Sequence, residues 1–238
     1  MRALSASRAS TRAIGRAPPR RDVRDRIARA IRASAGATEA SETAADGSSA
    51  RAEAGLVVAR APACALEPSE RGTYAVRGVV TVRGVDAESV YNLLTDYGAS
   101  PRTFRAVRSV REIACEGDAC VPSNVYIEQE CEWKFFVFGG AFPTAFEVEE
   151  KDEEMKMRCT LAPGKEGTGF LRAFEGAWSV TEGADGVRIE HTLMVAPKFT
   201  PPYASKIFAQ QVEQILEDLL IEIESWNGKA YGKPPHRR

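Results

Sequence analysis

The segment 204–226 constrains the fold of this chain most, because its pattern is typical of one long helix with a wide apolar stripe. The apolar residues recur at steps of three and four: Phe208, Val212, Ile215, Leu216, Leu219, Leu220, Ile223 and Trp226. Glutamine and acidic residues fill the opposite side. The stripe is too wide for a lone surface helix, and the preceding segments alternate apolar and polar residues. We therefore expect a sheet that curls around a closing helix, an arrangement that usually leaves a cavity.

Charge is divided unevenly along the chain, although its 32 basic and 33 acidic residues nearly cancel. Residues 1–38 hold ten Arg against Asp22 and Asp25, a balance of +8, and the rest of the chain carries −9. The first segment is rich in Arg, Ala and Ser and lacks the apolar core of a secretory signal, as organelle transit peptides do. We predict a transit peptide and linker over residues 1–55, with the chloroplast as destination and the mitochondrion as the alternative. A disordered basic arm that contacts nucleic acid or anionic lipid is the other interpretation.

The folded domain is expected over residues 71–229, with a disordered tail at 230–238. A strand with an irregularity at Gly78 precedes a helix that Asp86 caps and Gly98 ends, and a helical turn starts at Pro101. Six more strands are predicted before the long helix, over 107–114, 121–137, 145–150, 155–161, 169–181 and 187–196. This order indicates an α+β fold with a seven-stranded curved antiparallel sheet. No apolar run approaches the roughly 18 residues needed to span a membrane.

Period-two phasing identifies the side chains that face the inside of this sheet. The inward face is apolar and aromatic and includes Val125, Ile127, Gln129, Cys131, Trp133, Phe135, Phe146, Val148, Met157, Cys159, Phe170, Phe174, Trp178, Ile189, His191 and Leu193. The other face carries charged residues, as an antiparallel sheet allows when one side meets water.

Three segments together resemble a known superfamily. Residues 86–113 contain Val-Tyr-Asn-Leu-Leu-Thr-Asp-Tyr at 90–97, followed by Pro101 and an apolar strand. A Phe-Glu-Gly-Ala-Trp run at 174–178 and a Val-x-Ile-x-His strand that ends in Ala-Pro-Lys at 196–198 precede the closing helix. The region 71–229 resembles the START-like, or SRPBCC, superfamily. It is most similar to the coenzyme Q-binding and polyketide cyclase/dehydrase-like branch, and within that branch to the lipid-transport proteins of plant and algal plastids. The resemblance implies a helix-grip fold with a hydrophobic ligand between sheet and helix. It implies no single activity, since members include carriers, receptors and cyclases.

The resemblance, more than the composition, favours an apolar ligand cavity. Its candidate lining residues are Tyr97, Phe104, Gln129, Trp133, Phe135, Phe146, Phe170, Phe174, Trp178, Ile189, His191, Leu193, Val212, Ile215, Leu216 and Leu219. For any single one of these residues plain core packing is the alternative, because large aromatic side chains fill much of such a volume themselves.

Neither a catalytic site nor a metal site is predicted, and no cofactor is expected. Of the two histidines, only His191 is placed to meet a ligand, and its inward phase favours a core histidine that bonds to the backbone. Because His236 falls in the predicted tail and no Cys-x-x-Cys pair occurs, ligands for zinc are lacking. The acidic residues at 147, 149, 150 and 152–154 surround a turn and are interpreted as solvated charge.

Five cysteines at irregular spacing argue against a disulfide framework. Cys115 and Cys120 flank a turn and are able to face one another, so a redox-sensitive bridge is one interpretation. Free thiols that pack as small apolar residues are the favoured one.

Four arginines recur at steps of three: Arg102, Arg105, Arg108 and Arg111. A strand that starts near residue 107 places Arg108 and Arg111 on different faces, so we do not expect a single basic patch. Nucleic acid is not an expected partner, because a domain at −9 repels phosphate. Transient contact with an anionic membrane surface beside the cavity is the functional alternative for these arginines.

The connector at 196–203 contains three prolines, which hold it out of both the last strand and the long helix. We expect Phe199 and Tyr203 to give it an apolar underside, so that it closes one end of the cavity as a lid. A stiff connector without a gating role is the alternative.

The expected function is the non-catalytic binding or transport of a hydrophobic ligand, such as an isoprenoid quinone, a fatty acid or another lipid. One alternative is a cyclase or dehydratase that acts on a hydrophobic substrate and moves protons with inward polar groups, for which the candidates are His191, Gln129, Arg172 and Tyr97. Another alternative is an organelle assembly factor with a collapsed cavity.

Overall fold

A computed structural model describes residues 56–115, 117–135, 138–165, 169–200 and 202–237. The predicted transit peptide and linker at 1–55 lie outside the described residues. The strands are β1 (Val57–Glu67), β2 (Tyr74–Arg83), β3 (Val107–Glu112), β4 (Val125–Phe135), β5 (Phe138–Lys151), β6 (Lys156–Leu161), β7 (Leu171–Gly183) and β8 (Gly186–Pro197). The helices are α1 (Ala87–Leu94), α2 (Ser100–Thr103) and α3 (Ala204–Ser225), with short 3-10 turns at Tyr97–Ala99, Asp152–Glu154 and Pro235–Arg237.

One antiparallel sheet contains all eight of these strands, in the order β1-β2-β8-β7-β6-β5-β4-β3. The prediction of an α+β fold with a curved sheet and a long closing helix is confirmed, but the strand count of seven is wrong. The additional strand is β1, which precedes the expected domain start at residue 71 and pairs with β2. Two register shifts and several alanines remove the alternating pattern from β1, so period-two phasing does not detect it.

The long helix α3 packs on the β1–β2 end of the sheet. Gly78 of β2 makes this close approach feasible, because a Cβ there would lie 2.6 Å from Val212 Cγ1 and 2.8 Å from Leu216 Cδ1. The pairing of β2 with β8 continues without a shift through Gly78, so the predicted irregularity at this position is absent and the glycine serves the helix contact instead.

The first helix begins as the sequence predicts. Asp86 Oδ1 accepts a hydrogen bond from the backbone N–H of Ser89 at 2.7 Å, which caps α1. The helix ends at Leu94 rather than at Gly98, because a 3-10 turn at Tyr97–Ala99 intervenes, and Asp96 caps this turn in the same way. None of the described helices combines the length and hydropathy needed to cross a bilayer.

Residues 227–236, which we call the C-terminal strap, do not form the disordered tail that the sequence predicts. The Tyr231 ring lies 5.1 Å from the Trp226 ring, and its backbone N–H donates to Ser89 Oγ at 2.9 Å. The Tyr231 hydroxyl donates to Asp96 at 2.7 Å and accepts from Arg102 at 2.8 Å. These contacts fasten the strap over α1 and the following turn, so the folded domain extends at least to His236.

A second, smaller apolar cluster lies on the convex face, which the sequence predicts to be charged and wet. It consists of Tyr126, Ala145 and Ala162, with Cys115 and Cys120 packed against it. The two cysteines form a disulfide, so the prediction of free thiols is wrong for this pair. The turn brings their Cα atoms to 5.8 Å, within the usual range for a bridge. The other three cysteines are free.

Candidate functional site

The concave face of the sheet is covered unevenly. Because α3 packs mainly on β1 and β2, it leaves the concave side of β5 to β7 less covered. Two inward residues of this region, Cys159 of β6 and Phe174 of β7, are only half-buried, although the inward neighbours Met157 and Trp178 are buried. Ile215 of α3, in the apolar stripe of the helix, is half-buried as well. Accessible apolar surface between buried neighbours indicates space that the side chains do not fill.

Cys159 gives the clearest sign of this space. Its side chain lies on the concave face of β6, a central strand of the sheet, yet the residue keeps accessible surface. Neighbouring side chains therefore do not fill the concave side completely at this position. Burial raises the pKa of its thiol well above the usual range. Burial also raises the pKa of the inward Cys131 to about 11, so neither thiol is a ready nucleophile at neutral pH.

Aromatic pairs line the walls of this space. Phe146 and Phe174 face one another from β5 and β7 with ring centroids 4.8 Å apart. Phe104, which follows α2, stacks with Trp178 at 6.4 Å. Contacts of this kind give a rigid apolar lining and leave ring faces to pack against a ligand.

The inward histidine is held by the backbone, as the sequence predicts. His191 Nδ1 lies 3.0 Å from the carbonyl oxygen of Ala177, and its ring stacks on Trp178 at 4.1 Å. A carbonyl only accepts, so Nδ1 carries the proton and Nε2 has the lone pair. Burial lowers the pKa of His191 to about 4, which keeps the imidazole neutral at physiological pH.

A largely buried polar cluster that the sequence analysis missed lies at the end of β5. The Tyr97 hydroxyl donates to Glu150 Oε1 at 2.5 Å, and His236 Nε2 lies 3.0 Å from the same oxygen. The rings of Tyr97 and His236 stack at 5.2 Å. Burial and the neighbouring carboxylate raise the pKa of Tyr97 far above its usual value, so the phenol stays protonated and acts as a donor. The phase of β5 contained the signal, because Glu150 shares its face with the inward Phe146 and Val148.

The other acidic residues near this turn also have partners. Asp152 accepts a hydrogen bond from the Tyr91 hydroxyl at 3.2 Å. Glu147, on the convex face, accepts from Asn124 at 2.8 Å and from Tyr126 at 2.9 Å. Solvated charge is therefore a wrong interpretation for Glu147 and Glu150, whereas Asp152 is exposed, as expected. Glu153 and Glu154 are exposed, as expected.

The structure locates fourteen of the sixteen predicted cavity residues with their side chains. Buried ones are Tyr97, Phe146, Trp178, Ile189, His191, Leu193, Val212, Leu216 and Leu219, and half-buried ones are Phe104, Gln129, Phe170, Phe174 and Ile215. Trp133 and Phe135 belong to β4, but their side chains lie outside the described part of the chain. The half-buried residues are the better candidates for ligand contact, because buried ones already have protein neighbours. Contact of any of them with a ligand stays a prediction.

The arginines at steps of three are each engaged by a carboxylate. Arg102 pairs with Glu222 at 3.3 Å, and Arg105 pairs with Asp218 of α3 at 2.7 Å. A register shift between residues 107 and 109 turns Arg108 and Arg111 to the same face, not to different faces as predicted. There they pair with β4 glutamates, Glu132 at 2.5 Å and Glu128 at 2.7 Å. The run therefore offers little uncompensated positive charge.

Two further predictions on polar and connecting residues are wrong. Arg172 is exposed and donates to the backbone carbonyls of Pro197 at 3.3 Å and Gly72 at 3.4 Å, so it braces loops instead of entering the cavity. Phe199 and Tyr203 do not form an apolar underside of the connector, because each is 76% exposed. Among the described residues, no group of three or more His, Cys, Asp or Glu side chains is arranged to hold a metal ion.

The chain is similar to several solved structures. A START superfamily protein from Mycobacterium smegmatis is 19% identical, with 63% of this chain and 97% of that chain covered and a TM-score of 0.50. A protein from Thermus thermophilus is also 19% identical, over 62% and 94% of the two chains, with a TM-score of 0.47. A STAR-related lipid transfer protein from Xanthomonas axonopodis is 16% identical, over 67% and 98%, with a TM-score of 0.46. The first of these supports the helix-grip fold, and at this identity it supports the fold alone.

A family assignment comes from the sequence itself. Residues 84–222, more than half of the 238 residues, match the family described as polyketide cyclase / dehydrase and lipid transport. A comparison with curated proteins found no match. The matched range runs from the residues before α1 almost to the end of α3 and so includes β3 to β8 of the concave face, but not β1 and β2. The chain belongs to the polyketide cyclase / dehydrase and lipid transport family and has the START-like fold.

Proposed function

We propose that this domain binds and carries a hydrophobic ligand between the concave face of the sheet and α3, without catalysing a reaction on it. The observation that carries this proposal is the accessible apolar surface of Phe174 and Cys159, which lies between buried neighbours on the concave face of the sheet. An isoprenoid quinone, a fatty acid or another lipid with an apolar chain fits such a surface. Membership of the family supports this class of ligand.

An apolar lining is sufficient for useful affinity. Each methylene group that leaves water contributes about 0.8 kcal/mol, so ten buried methylenes contribute about 8 kcal/mol. That gain opposes the cost of immobilising the ligand, and each further methylene of a longer chain adds to the affinity. Specific polar contacts are not required for binding of this kind, and aromatic walls such as the Phe146–Phe174 pair discriminate by shape.

A cyclase or dehydratase is the alternative within the same family, and the polar groups favour binding instead. His191 is neutral and uses Nδ1 for a backbone carbonyl. Arg172 lies outside the concave space, and the Tyr97 hydroxyl already donates to Glu150. Gln129 is half-buried, and it is the one predicted candidate whose position is compatible with contact with a substrate. An assembly factor with a collapsed cavity conflicts with the accessible surface of Cys159.

The direct test is to identify what the protein retains. Native mass spectrometry of the full chain, followed by solvent extraction and lipid mass spectrometry, is expected to show one apolar lipid per folded molecule. A protein that carries no extractable lipid, and takes up no fatty acid or quinone when these are added, would contradict the proposal. Conversion of an added substrate by the purified protein, abolished by His191→Phe while binding persists, would establish the enzyme instead.

The finer assignments rest on the sequence. We propose import into the chloroplast, because residues 1–38 combine ten arginines with only two acidic residues. A fusion of residues 1–55 to a fluorescent protein tests this proposal, and accumulation in mitochondria would support the alternative. We also propose that the chain is related to the coenzyme Q-binding branch and to plastid lipid-transport proteins. Retention of a quinone rather than a fatty acid would favour the coenzyme Q-binding branch.

A further inference from the structure

We infer that the connector between β8 and α3 is a membrane-docking surface that places Phe199 and Tyr203 into the interface of an anionic lipid bilayer. The inference rests on the proposed function, since a lipid carrier has to exchange its ligand with a bilayer. It assigns the docking to a surface other than the ion-paired arginines at 102–111. Three observations support it, which are the exposure of the two aromatics, the backbone of Tyr203 and the charge around them.

The two aromatics of the connector are the most exposed of the large apolar side chains in the part of the chain that the structure describes. Each is 76% exposed, whereas the next two, Leu66 and Val57, are 56% and 53% exposed. An exposed aromatic costs hydration free energy unless a partner covers it, and Tyr is one of the residues enriched at the boundary between lipid and water. Two such side chains on one short connector form a compact anchor.

The backbone of Tyr203 supports a role for its side chain. This residue precedes α3 with φ 60 and ψ 27, in the left-handed region that Gly, Asn and Asp occupy at lower cost. Its side chain makes no capping hydrogen bond to the helix. Neither packing nor capping therefore offsets the backbone strain. Backbone strain at an exposed residue is typical of functional positions, which supports a role of the Tyr203 side chain in docking.

Local positive charge matches an anionic surface. Lys198 and Lys206 are exposed on either side of the two aromatics, and no ion pair found among the described residues involves either of them. The chain beyond residue 38 carries −9, so these two cations stand against an otherwise acidic background. Lysines beside an apolar anchor attract anionic headgroups over about one Debye length, roughly 8–10 Å at physiological salt.

The position of the connector links docking to the ligand. The backbone N–H of Lys198 donates to the carbonyl of the half-buried Phe170 at 2.9 Å. On the other side of the connector, the Phe208 ring of α3 packs against the Tyr74 ring at 5.3 Å. The connector thus crosses from sheet to helix at the end of the apolar interior. Docking through Phe199 and Tyr203 brings this end of the molecule against the bilayer.

A local readout tests the inference, because the arginine-rich residues 1–38 also attract anionic lipid and obscure simple vesicle binding. Two variants of the full chain, Phe199→Trp and Val57→Trp, are mixed with vesicles of phosphatidylcholine and phosphatidylglycerol whose acyl chains are brominated. Val57 is an exposed control at the opposite end of the sheet, where it pairs with Arg83. The wild type, which contains three native tryptophans, supplies the background quenching that is subtracted from each variant. The remaining quenching of Phe199→Trp is expected to be at least threefold that of Val57→Trp. Equal quenching of the two variants overturns the inference.

Two additions to this experiment test the chemistry of the surface. In the Phe199→Trp background, Lys198→Gln with Lys206→Gln is expected to lower the quenching of the introduced tryptophan severalfold, as is Tyr203→Asn, which keeps a residue suited to the left-handed backbone. Unchanged quenching in both variants overturns the assignment. The lipid content of each preparation is measured in parallel. Normal lipid content without insertion refutes docking and leaves the proposed function intact, whereas insertion by a protein that holds no lipid refutes the proposed function alone.

Discussion

His236 Nε2 lies 3.0 Å from Glu150 Oε1, although the two residues are 86 positions apart. The contact joins the last described turn of the chain to the end of β5 and covers most of a carboxylate that is also bound by Tyr97. It makes the C-terminal strap a part of the folded domain. A buried carboxylate needs such partners, because an unsatisfied one costs far more than a typical hydrogen bond contributes.

Removal of this contact is expected to destabilise the domain. His236→Ala leaves Glu150 with one partner fewer and removes the ring that stacks on Tyr97, so the free energy of unfolding should fall by about 1–3 kcal/mol. Denaturation by urea measures the change. Lys229→Ala, an exposed position in the same strap, is the control and should change stability by less than about 0.5 kcal/mol. Equal stability of the two variants would mean that the contact of His236 with Glu150 does not stabilise the folded domain.

Acid is expected to destabilise the protein through His191. Its pKa is about 4 in the folded protein and about 6.5 when unfolded, so the unfolded chain binds the extra proton between these values. Stability is therefore unaffected above about pH 6.5 and declines as the pH falls toward 4, by about 3 kcal/mol in total. Unfolding of the wild type and of His191→Phe is compared across this range, since carboxylates titrate in both. The slope of the variant should be smaller by up to about 1.4 kcal/mol per pH unit, and identical slopes would show that His191 is not buried as a neutral group.

The contact between α3 and β2 predicts a sensitive position at Gly78. Gly78→Ala places a methyl group 2.6 Å from Val212 Cγ1, so the helix has to shift and stability should fall by about 1–3 kcal/mol. Gly232→Ala is the control, because a Cβ there meets no atom within 4 Å. Val212→Ala removes the side chain that the new methyl group contacts. The double variant Gly78→Ala with Val212→Ala should therefore lose less stability than the sum of the two single losses. If the two stability losses are simply additive in this double-mutant cycle, α3 does not contact β2 at Gly78.

The N-terminal boundary is testable by shortening the chain. A protein that begins at Leu56 keeps β1 and should retain the melting temperature of the full chain. A protein that begins at Arg71 loses β1, against which α3 packs, together with the buried Val58, and should melt many degrees lower or fail to fold. A large loss of stability on removing residues 1–55 alone would show that the basic segment packs on the domain.

The fold was more accessible from the sequence than the polar contacts were. The apolar stripe predicts a helix at 204–226, and α3 spans Ala204–Ser225, because a wide stripe at helical spacing has few other solutions. Likewise, the inward phase of Ile189 and His191 follows from strict alternation in β8, and both are buried. Regular periodicity is a property of the local sequence, so it survives without knowledge of tertiary partners.

The wrong predictions concern residues whose burial or strand face depends on contacts with distant parts of the chain. Glu150 resembles its solvated neighbours in sequence, and only the strap that returns over 86 positions makes it a buried acceptor. The register shifts in β1 hide an edge strand, and the one at residues 107–109 reverses the face of Arg108 relative to Arg111. The exposure of Phe199 and Tyr203 depends on the direction in which a proline-rich connector leaves β8, which residue composition does not specify.

The measurement that tests the ligand cavity most directly is the lipid content of Ile215→Trp. Ile215 is half-buried in α3 and is predicted to border the cavity, so a tryptophan there should occupy ligand space. Gln210→Trp, an exposed position on a different face of the same helix, is the matched control. We predict that Ile215→Trp keeps the wild-type stability within about 1 kcal/mol and loses most of its co-purified lipid, while Gln210→Trp retains both. Destabilisation of Ile215→Trp by about 1–3 kcal/mol, the cost of an overpacked core, with unchanged lipid per folded molecule would contradict the cavity.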